Sequence, residues 1–368
     1  MAKLPEKTVA RLNDSTVSRI FKAYEARSEK MPRAHLGASL IGHDCDRYLW
    51  LSFRWFFYPN FKGRILRLFN RGFREEPVLV SDLRAAGCTV HDSSASTGTQ
   101  FSFSAVGGHF GGSMDAAILG LVEAPKTWHV GEFKTMSKKK FAEMEKDKLE
   151  KANPVYYAQC QTYMKFTGMK RASFWAVCKD DDRIYHERVK YDGKFAAALF
   201  RRAERVITAD QAPDRISTNP SWFKCKWCDA FDLCQGRTHF PRVNCRTCCH
   251  STPKTDGEGY GPWICERKSS ELSPVDQVRA CEYHLFNPSA MPIDHVDADP
   301  AGTWVKYKTE DDRMFYNLIR NDLIPTGAVS YHSDELELLT VDEINEPILQ
   351  DVKEVFGGTV SGSRLNNG

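Results

Sequence analysis

Two acidic residues and a lysine stand at the ends of two neighbouring apolar segments of this sequence. Asp115 follows the glycine-rich stretch GGHFGGSM, and Glu132 and Lys134 lie within WHVGEFKT. Because side chains alternate along a strand, Glu132 and Lys134 share one face while Phe133 points into the core. If the two segments pair as a hairpin, Asp115 lies beside Glu132.

Two neighbouring carboxylates repel each other unless a divalent cation neutralises them. Oxygen ligands of this kind suit Mg²⁺ or Mn²⁺, which can ready a water for attack on a phosphodiester and stabilise the leaving oxygen. Lys134 would orient or deprotonate that water and offset the developing negative charge. Taken alone, a Glu-x-Lys strand is more often a solvated ion pair, so further motifs have to decide.

The order of four motifs resembles the PD-(D/E)xK nuclease superfamily. GGSMD is followed after sixteen residues by EFK, which matches the pattern that names the superfamily. The preceding segment RGFREEP resembles the G-x-x-x-E-P signature of its viral recombinase branch (YqaJ- and lambda-exonuclease-like). The later segment YYAQCQTYM is similar to the Q-x-x-x-Y motif of that branch.

This resemblance implies a restriction-endonuclease-like α/β core, with a mixed central sheet flanked by helices, and a metal-dependent DNA exonuclease activity. Glu76 matches the helix acid that completes the metal site, with Glu75 the poorer match, and Gln159 and Tyr163 match residues that position the DNA. The branch also implies a phage or prophage role in recombination, repair or DNA processing. The alternatives are an endonuclease or flap nuclease of the same superfamily, a non-catalytic nucleic-acid-binding protein, and a redox-sensing regulator.

Helices and strands that would position these residues can be predicted from periodicity. The segment ILRLFNRGFREEPVLVSDLRAAG has apolar residues at three- and four-residue spacing and ends at Gly87, which predicts a helix carrying Glu76. A second helical segment follows the EFK strand and should break at Asn153-Pro154. Strands are predicted at TQFSFSAV, SMDAAIL, WHVGEFKT, RASFWAVCK and RIYHERVKY. Strands between helices make this region α/β.

Composition limits the cellular setting. The chain has 368 residues, 42% of them hydrophobic, and a net charge of +3, so any nucleic-acid surface must be local. No run reaches the roughly 18 apolar residues of a membrane helix, and the charged N-terminus lacks a signal-peptide core. We therefore expect a cytoplasmic protein without membrane partners (in the host cytoplasm if it is phage-encoded). In a reducing compartment, clustered cysteines are metal ligands more often than disulfides.

The first cysteine set is C-x2-C-x5-C, formed by Cys225, Cys228 and Cys234. A four-ligand site needs one more residue, and Cys45 before the nuclease core is the candidate, with Cys245 as the alternative. One cysteine before the core and three after it resemble the iron–sulfur staple of the AddB helicase–nuclease subunit and of CRISPR-adaptation nucleases. That resemblance implies a [4Fe–4S] cluster. The competing interpretations are zinc on the same thiolates and no metal at all, with Cys45 a buried free thiol.

The second set has the donor types and spacing of a structural zinc site. Cys245, Cys248 and Cys265 supply three ligands, and either Cys281 or His284 supplies the fourth, with Cys281 better placed. A second iron–sulfur cluster is the main competitor. Two neighbours are expected to be bystanders: Cys249 and His250.

We expect four domains. Residues 1–34 form an N-terminal helical appendage, 35–236 the nuclease domain with its iron–sulfur staple, 237–290 the zinc module, and 291–368 an α+β extension that ends in a flexible tail.

DNA ends, single-stranded or duplex, are the expected substrate. Lys138, Lys139 and Lys140 directly follow the EFK strand and suit phosphate contacts. The stretch RWFFYPNFKGRILRLFNR mixes arginines with aromatics that suit base stacking, with Phe56 and Phe57 favoured as core. No Walker motif is present, so a helicase, recombinase or single-strand-binding protein is a candidate partner. Basic residues of the zinc module that could also contact DNA are Arg242, Arg246, Lys254, Arg267 and Lys268.

Overall fold

The computed structural model describes residues 15–28, 32–58, 60–257, 261–320, 329–356 and 359–361. Most of the predicted flexible tail and the first fourteen residues of the predicted appendage lie outside the described residues. The chain forms two compact units. The first comprises Met1–Met31, Pro59–Phe103 and Gly112–Phe200, and the second comprises Pro32–Tyr58, Ser104–Gly111 and Arg201–Gly368. The four predicted domain boundaries stay a prediction.

The described residues contain fifteen strands and twelve α-helices, with 3₁₀ turns at Cys245–Thr247 and Pro288–Ala290. The strands are β1 Leu36–Gly37, β2 Thr89–His91, β3 Phe101–Ala105, β4 Phe110–Met114, β5 Ala116–Leu119, β6 His129–Met136, β7 Arg171–Cys178, β8 Ile184–Lys190, β9 Ser251–Pro253, β10 Trp263–Cys265, β11 Ser270–Leu272, β12 Asp294–Ala298, β13 Trp304–Lys308, β14 Met314–Leu318 and β15 Ser330–Tyr331. The helices are α1 Thr16–Arg27, α2 Asp46–Phe53, α3 Gly63–Ala85, α4 Lys138–Ala152, α5 Pro154–Thr167, α6 Gly193–Thr208, α7 Phe223–Lys226, α8 Phe231–Cys234, α9 Pro274–Arg279, α10 Ser333–Leu338, α11 Val341–Asn345 and α12 Pro347–Phe356.

A five-stranded mixed sheet organises the first unit, in the order β2-β5-β6-β7-β8. β6 and β7 are parallel, and the other neighbouring pairs are antiparallel. The apolar face of helix α3 packs against the sheet, where Leu79, Val80 and Leu83 form a buried cluster with Phe133 of β6. A mixed sheet covered by helices is the fold class predicted from the sequence, and it is confirmed.

The predicted helix break between α4 and α5 is present. Asn153 lies outside both helices, and its side chain accepts a hydrogen bond of 3.1 Å from the N–H of Tyr156 at the start of α5. Pro154 takes the first helical position, where its missing N–H costs nothing. This break sets α5 in its own direction across the sheet, so the side chains of α5 can reach the β6 strand end.

The second unit contains two further sheets. β9, β10 and β11 form a small antiparallel sheet in the order β11-β10-β9, within the cysteine-rich region. β12, β13, β14 and β15 form a four-stranded sheet whose apolar face packs with residues of α10 and α11, so the C-terminal region is α+β as predicted. β1 pairs in parallel with the start of β4. No helix in the described parts of the chain is long and apolar enough to cross a membrane.

Candidate functional site

Asp115 and Glu132 lie side by side on the sheet of the first unit. β5 and β6 are antiparallel with Ala116 opposite Gly131, so Asp115, which directly precedes β5, is level with Glu132. The backbone N–H of Phe133 donates a hydrogen bond of 2.7 Å to Oδ2 of Asp115. The hairpin expected from the sequence therefore brings the two carboxyl groups together, and the side chain of Glu132 is 0% exposed.

Lys134 lies on the same face of β6 as Glu132, and its ammonium group donates a hydrogen bond to Oε1 of Glu132. The other carboxylate oxygen, Oε2, is buried and has no hydrogen-bond partner among the described residues. A buried acceptor without a donor costs free energy, which a bound cation would recover. The Lys134 side chain is 22% exposed, so this buried pair reaches solvent through the lysine.

Glu76 approaches the same carboxyl groups from α3. Leu79, one helical turn further along, is buried against the sheet and fixes the position of this part of the helix. Burial and the charge of Asp115 together raise the pKa of Glu76 to about 7, against the opposing charge of Lys134. Glu76 therefore interacts electrostatically with Asp115 and Lys134, the residues with which the sequence motifs grouped it.

The electrostatics of the site favour an added positive charge. Burial raises the pKa of Asp115 and raises that of Glu132 to about 8, in both cases against the opposing charge of Lys134. Burial alone would lower the pKa of Lys134, but the carboxylates of Glu132 and Asp115 outweigh it and keep the ammonium protonated. With Glu76, three carboxyl groups face one ammonium, so a divalent cation would relieve their mutual repulsion.

Helix α5 adds Gln159 and Tyr163, which lie one turn apart and are both buried. Burial raises the pKa of Tyr163, and the charge of Glu132 adds to the rise, so the pair lies near the acidic site. Oε1 of Gln159 is buried without a partner among the described residues. Tyr156 was not singled out from the sequence, although helical periodicity places it near Gln159; its ring centroid lies 5.3 Å from Nζ of Lys134.

The donor types of this site fit a hard divalent cation, although its side chains are not set in a coordination shell. Across the described ranges, no three His, Cys, Asp or Glu side chains are arranged to ligate one metal ion. At the acidic site, the ammonium of Lys134 supplies positive charge at Glu132. A free carboxylate oxygen on Glu132, beside Asp115 and Glu76, supplies the oxygen donors that Mg²⁺ or Mn²⁺ prefers.

The first cysteine set lies together in the second unit. Gln235 Nε2 donates a hydrogen bond of 3.6 Å to one of its sulfurs, and the N–H of Tyr48 donates one of 3.4 Å to another. Burial raises the pKa of Cys228 to about 11, and neighbouring thiol groups add to the rise. The alternative member, Cys245, does not line this cavity. The cavity has a volume of about 280 Å³, and the cysteines that line it are Cys45, Cys225, Cys228 and Cys234.

The second set surrounds a much smaller cavity of about 20 Å³, lined by both candidates for the fourth position, Cys281 and His284. Burial raises the pKa of Cys245 to about 12, and the charges of Cys248, Cys281 and Cys265 add to the rise. Nε2 of His284 is instead held 3.0 Å from the carbonyl of Asn244. Nδ1 of His284 is buried without a partner among the described residues, so Cys281 and His284 both remain candidates for the fourth position; Cys281 is the candidate whose charge acts on Cys245.

One predicted DNA contact is wrong. Arg246 is 1% exposed and is enclosed by aromatic rings, with its guanidinium carbon 3.8 Å from the ring centroid of Trp55 and 4.9 Å from that of Trp263. It also donates hydrogen bonds of 2.8 and 2.9 Å to Gln277. A guanidinium packed in this way cannot reach a phosphate, so Arg246 has a structural role. The other basic residues proposed for this region are exposed: Arg242, Lys254, Arg267 and Lys268.

No protein-family model and no curated protein matches this sequence. Among solved structures, LHK-Exo in complex with dAMP is 17% identical, with 51% of this chain and 89% of that chain covered and a TM-score of 0.30. The alkaline exonuclease LHK-Exo from Laribacter hongkongensis is also 17% identical, with 50% of this chain and 90% of that chain covered and a TM-score of 0.31. SSO0001 is 16% identical, with 60% of this chain and 97% of that chain covered and a TM-score of 0.35. Likenesses this distant support no conclusion about the fold or activity of this chain.

Proposed function

We propose that this chain is a metal-dependent deoxyribonuclease that hydrolyses phosphodiester bonds from DNA ends. The observation that carries the proposal is the pairing of half-buried Asp115 with fully buried Glu132, with Oε2 of Glu132 unpartnered among the described residues and Lys134 on the same strand face. A solvated surface ion pair, the ordinary explanation of Glu-x-Lys on a strand, does not bury its carboxylate completely. The order of the four nuclease-like motifs supports the same proposal.

Asp115, Glu132 and Glu76 would hold Mg²⁺ or Mn²⁺, which supplies Lewis acidity at the scissile phosphate and readies a water for attack. Gln159 and Tyr163 would hold the substrate strand, because the free Oε1 of Gln159 can accept a hydrogen bond from it. Tyr156 would hold the Lys134 ammonium in place through a cation–π contact with its ring.

Lys134 acts first as a donor. Its ammonium is protonated because neighbouring carboxylates outweigh burial, so it can donate a hydrogen bond to the attacking water and offset charge on the phosphate. If Glu132 and Asp115 held the cation, their charges would oppose the effect of burial less, and the pKa of Lys134 would be lower. The ammonium could then release its proton to solvent, and the neutral amine would accept one from the attacking water.

The DNA strand would follow the N-terminal half of α3, which ends at Glu76. This half carries exposed Phe69 and Phe73 among exposed arginines, whereas Phe56 is buried, as predicted for core. Arginines hold phosphates and exposed rings stack on unpaired bases, so the surface suits a frayed DNA end. Lys138, Lys139 and Lys140 are also exposed, at the start of α4. The exposed arginines of this N-terminal half of α3 are Arg64, Arg67, Arg71 and Arg74.

The two cysteine sets would hold different metals. A 280 Å³ cavity with hydrogen-bond donors aimed at sulfur and Arg47 beside Cys234 suits a [4Fe–4S] cluster, whose thiolates carry negative charge. A 20 Å³ cavity among four cysteines suits a single Zn²⁺ ion. Lys268, whose pKa is raised by the charge of Cys281 against the effect of burial, would balance part of the thiolate charge there.

The resemblance to the viral recombinase branch suggests DNA end processing in a phage or prophage, in the cytoplasm of the host. A recombinase, a single-strand-binding protein or a helicase would then be the partner. This setting rests on the motifs alone.

Cleavage of end-labelled linear and circular DNA tests the proposal, using anaerobically purified protein with Mg²⁺ or Mn²⁺. We expect linear DNA to be degraded and circles spared, and Lys134→Ala to lose at least about 100-fold in rate, as removal of one stabilising group does. Lys194→Ala, which changes an exposed lysine outside both the acid set and the proposed DNA contacts, is the matched control and should retain cleavage.

Cleavage of circles would indicate an endonuclease instead. Equal cleavage by the wild type and Lys134→Ala would refute the site. DNA binding without any cleavage would favour the non-catalytic binding protein, and affinity that changes with cluster oxidation would favour a redox-sensing regulator.

A further inference from the structure

A second exposed aromatic surface lies on the cysteine-rich segment of the second unit, at Trp222–Trp227. Phe223 is 64% exposed and Trp227 is 81% exposed, and they flank the buried Cys225. Rings this large are rarely left in water without a function. We call residues 222–227 the 222–227 surface.

Hydrogen bonds hold this surface in one conformation. The N–H groups of Cys225 and Lys226 each donate a bond of 2.9 Å to the carbonyl of Trp222, and the N–H of Cys228 donates one of 3.0 Å to Cys225. The N–H of Trp222 is in turn bonded to the carbonyl of Asn219 at 3.1 Å. The two rings are therefore displayed by an ordered turn, which lowers the entropic cost of binding a ligand.

Lysines lie beside each ring. Nζ of Lys224 is 5.7 Å from the ring centroid of Trp222 and 5.9 Å from that of Phe223, and Nζ of Lys226 is 5.5 Å from that of Trp227. Lys224 also pairs with Asp44, whereas Lys226 forms no ion pair within the described ranges. The surface thus alternates stacking faces with ammonium groups.

We propose that the 222–227 surface binds single-stranded DNA, with bases stacked on Phe223 and Trp227 and phosphates near Lys224 and Lys226. Phe223 begins α7 and Trp227 directly follows its last residue, so the two exposed rings stand four positions apart along the chain and can each stack on a base of an unpaired strand. A protein partner fits less well, because the cores of protein interfaces are depleted in lysine. This inference goes beyond the proposed hydrolysis and concerns a binding surface outside the acidic site.

The test measures the affinity of the anaerobically purified full chain for a fluorescent oligothymidylate, in buffer without divalent cations. Phe223→Leu and Trp227→Leu keep apolar volume but remove the stacking face, and each should weaken binding by roughly ten-fold. Trp227→Phe should retain most of the affinity. Trp128→Leu, the same change at another partly exposed tryptophan, is the matched control and should bind like the wild type.

A second variant tests the charge. Lys226→Gln should weaken binding and reduce the slope of log affinity against log salt by about one unit, because one phosphate contact is lost. Stacking should also quench Trp227 fluorescence in the wild type. Iron content and circular dichroism, measured on every variant, confirm that the cysteine-rich segment remains folded.

Unchanged oligothymidylate affinity in both leucine variants would overturn the proposal. It would also be overturned if those variants lost iron while binding DNA normally, since the rings would then only shield the cavity, or if they only abolished self-association. Because no cleavage is measured, failure of the nuclease proposal leaves this result untouched. Conversely, if the wild type cleaves DNA but Phe223→Leu and Trp227→Leu bind oligothymidylate like the wild type, only the present inference is refuted and the nuclease proposal stands.

Discussion

The protonation of single buried groups decides much of what this molecule can do. At the acidic site, the lysine pKa is raised only because two carboxylates oppose the effect of burial. The same residue in a site without those carboxylates would lose its proton readily. The pKa of Lys134 therefore depends on the charge of Glu132 and Asp115. The proposed role, in which Lys134 first orients a water and then takes its proton, requires this dependence.

His109 makes a prediction about pH. Burial lowers its pKa to about 4, the charge of Arg246 adds to this, and Nε2–H donates to the carbonyls of Lys254 and Pro262 at 3.1 and 2.9 Å. Because the folded pKa lies below the usual 6.5, His109 contributes stability above pH 6.5 that is lost as the pH falls towards 4. Between pH 7 and pH 5 we expect a loss of about 2 kcal/mol.

Denaturant unfolding at both pH values, followed by tryptophan fluorescence, measures this loss, since Trp263 packs edge-on against His109. His109→Gln keeps a donor for the carbonyls but cannot titrate, so its stability should fall about 2 kcal/mol less than that of the wild type. His239→Gln, at an exposed histidine, is the control. An equal fall in all three proteins would assign the pH dependence to other groups.

At the level of elements, α1 and α3 approach each other closely at Gly63, the first residue of α3. The N–H of Gly63 donates a hydrogen bond of 2.6 Å to Oε1 of Glu25, and a Cβ at Gly63 would lie 2.1 Å from the carbonyl oxygen of Phe21. Backbone atoms cannot yield to such a contact, so Gly63→Ala must push α1 away from α3. We expect a loss of about 1–3 kcal/mol in unfolding free energy and faster proteolysis within α1.

Gly72→Ala is the matched control in the same helix. Its Cβ would meet only Oγ1 of Thr135, at 3.8 Å, so α1 should stay attached, and the helix should gain up to about 1 kcal/mol. Equal proteolysis of α1 in the two variants would show that the close contact at Gly63 does not hold it.

At the scale of the whole molecule, local patterns predicted the elements but not their environments. Strand alternation and the glycine-bounded hairpin were sufficient to place Asp115 beside Glu132. The unpartnered oxygen of Glu132 depends on burial by helices distant in sequence, which no local pattern contains. Arg246 was misjudged for the same reason: arginine in a cysteine-rich loop is normally exposed, and only the packing of Trp55 and Trp263 encloses it.

Metal content tests how the second unit is built. If the two cysteine cavities hold separate metals, anaerobically purified protein should contain about four iron atoms and about one zinc ion per chain. Cys45→Ala should lose iron and retain zinc, whereas Cys281→Ala should lose zinc and retain iron. Each loss should lower the melting temperature, because the ligands would otherwise be held together by packing alone.

Two variants serve as controls for this assignment. Cys249→Ala changes an exposed neighbour of the second set and should retain both metals. His284→Ala should also retain zinc if Cys281 is the fourth ligand, as we propose. If His284→Ala loses zinc while Cys281→Ala keeps it, His284 is the fourth ligand instead of Cys281. If the wild type contains no iron and Cys45→Ala loses zinc, both cavities are zinc sites.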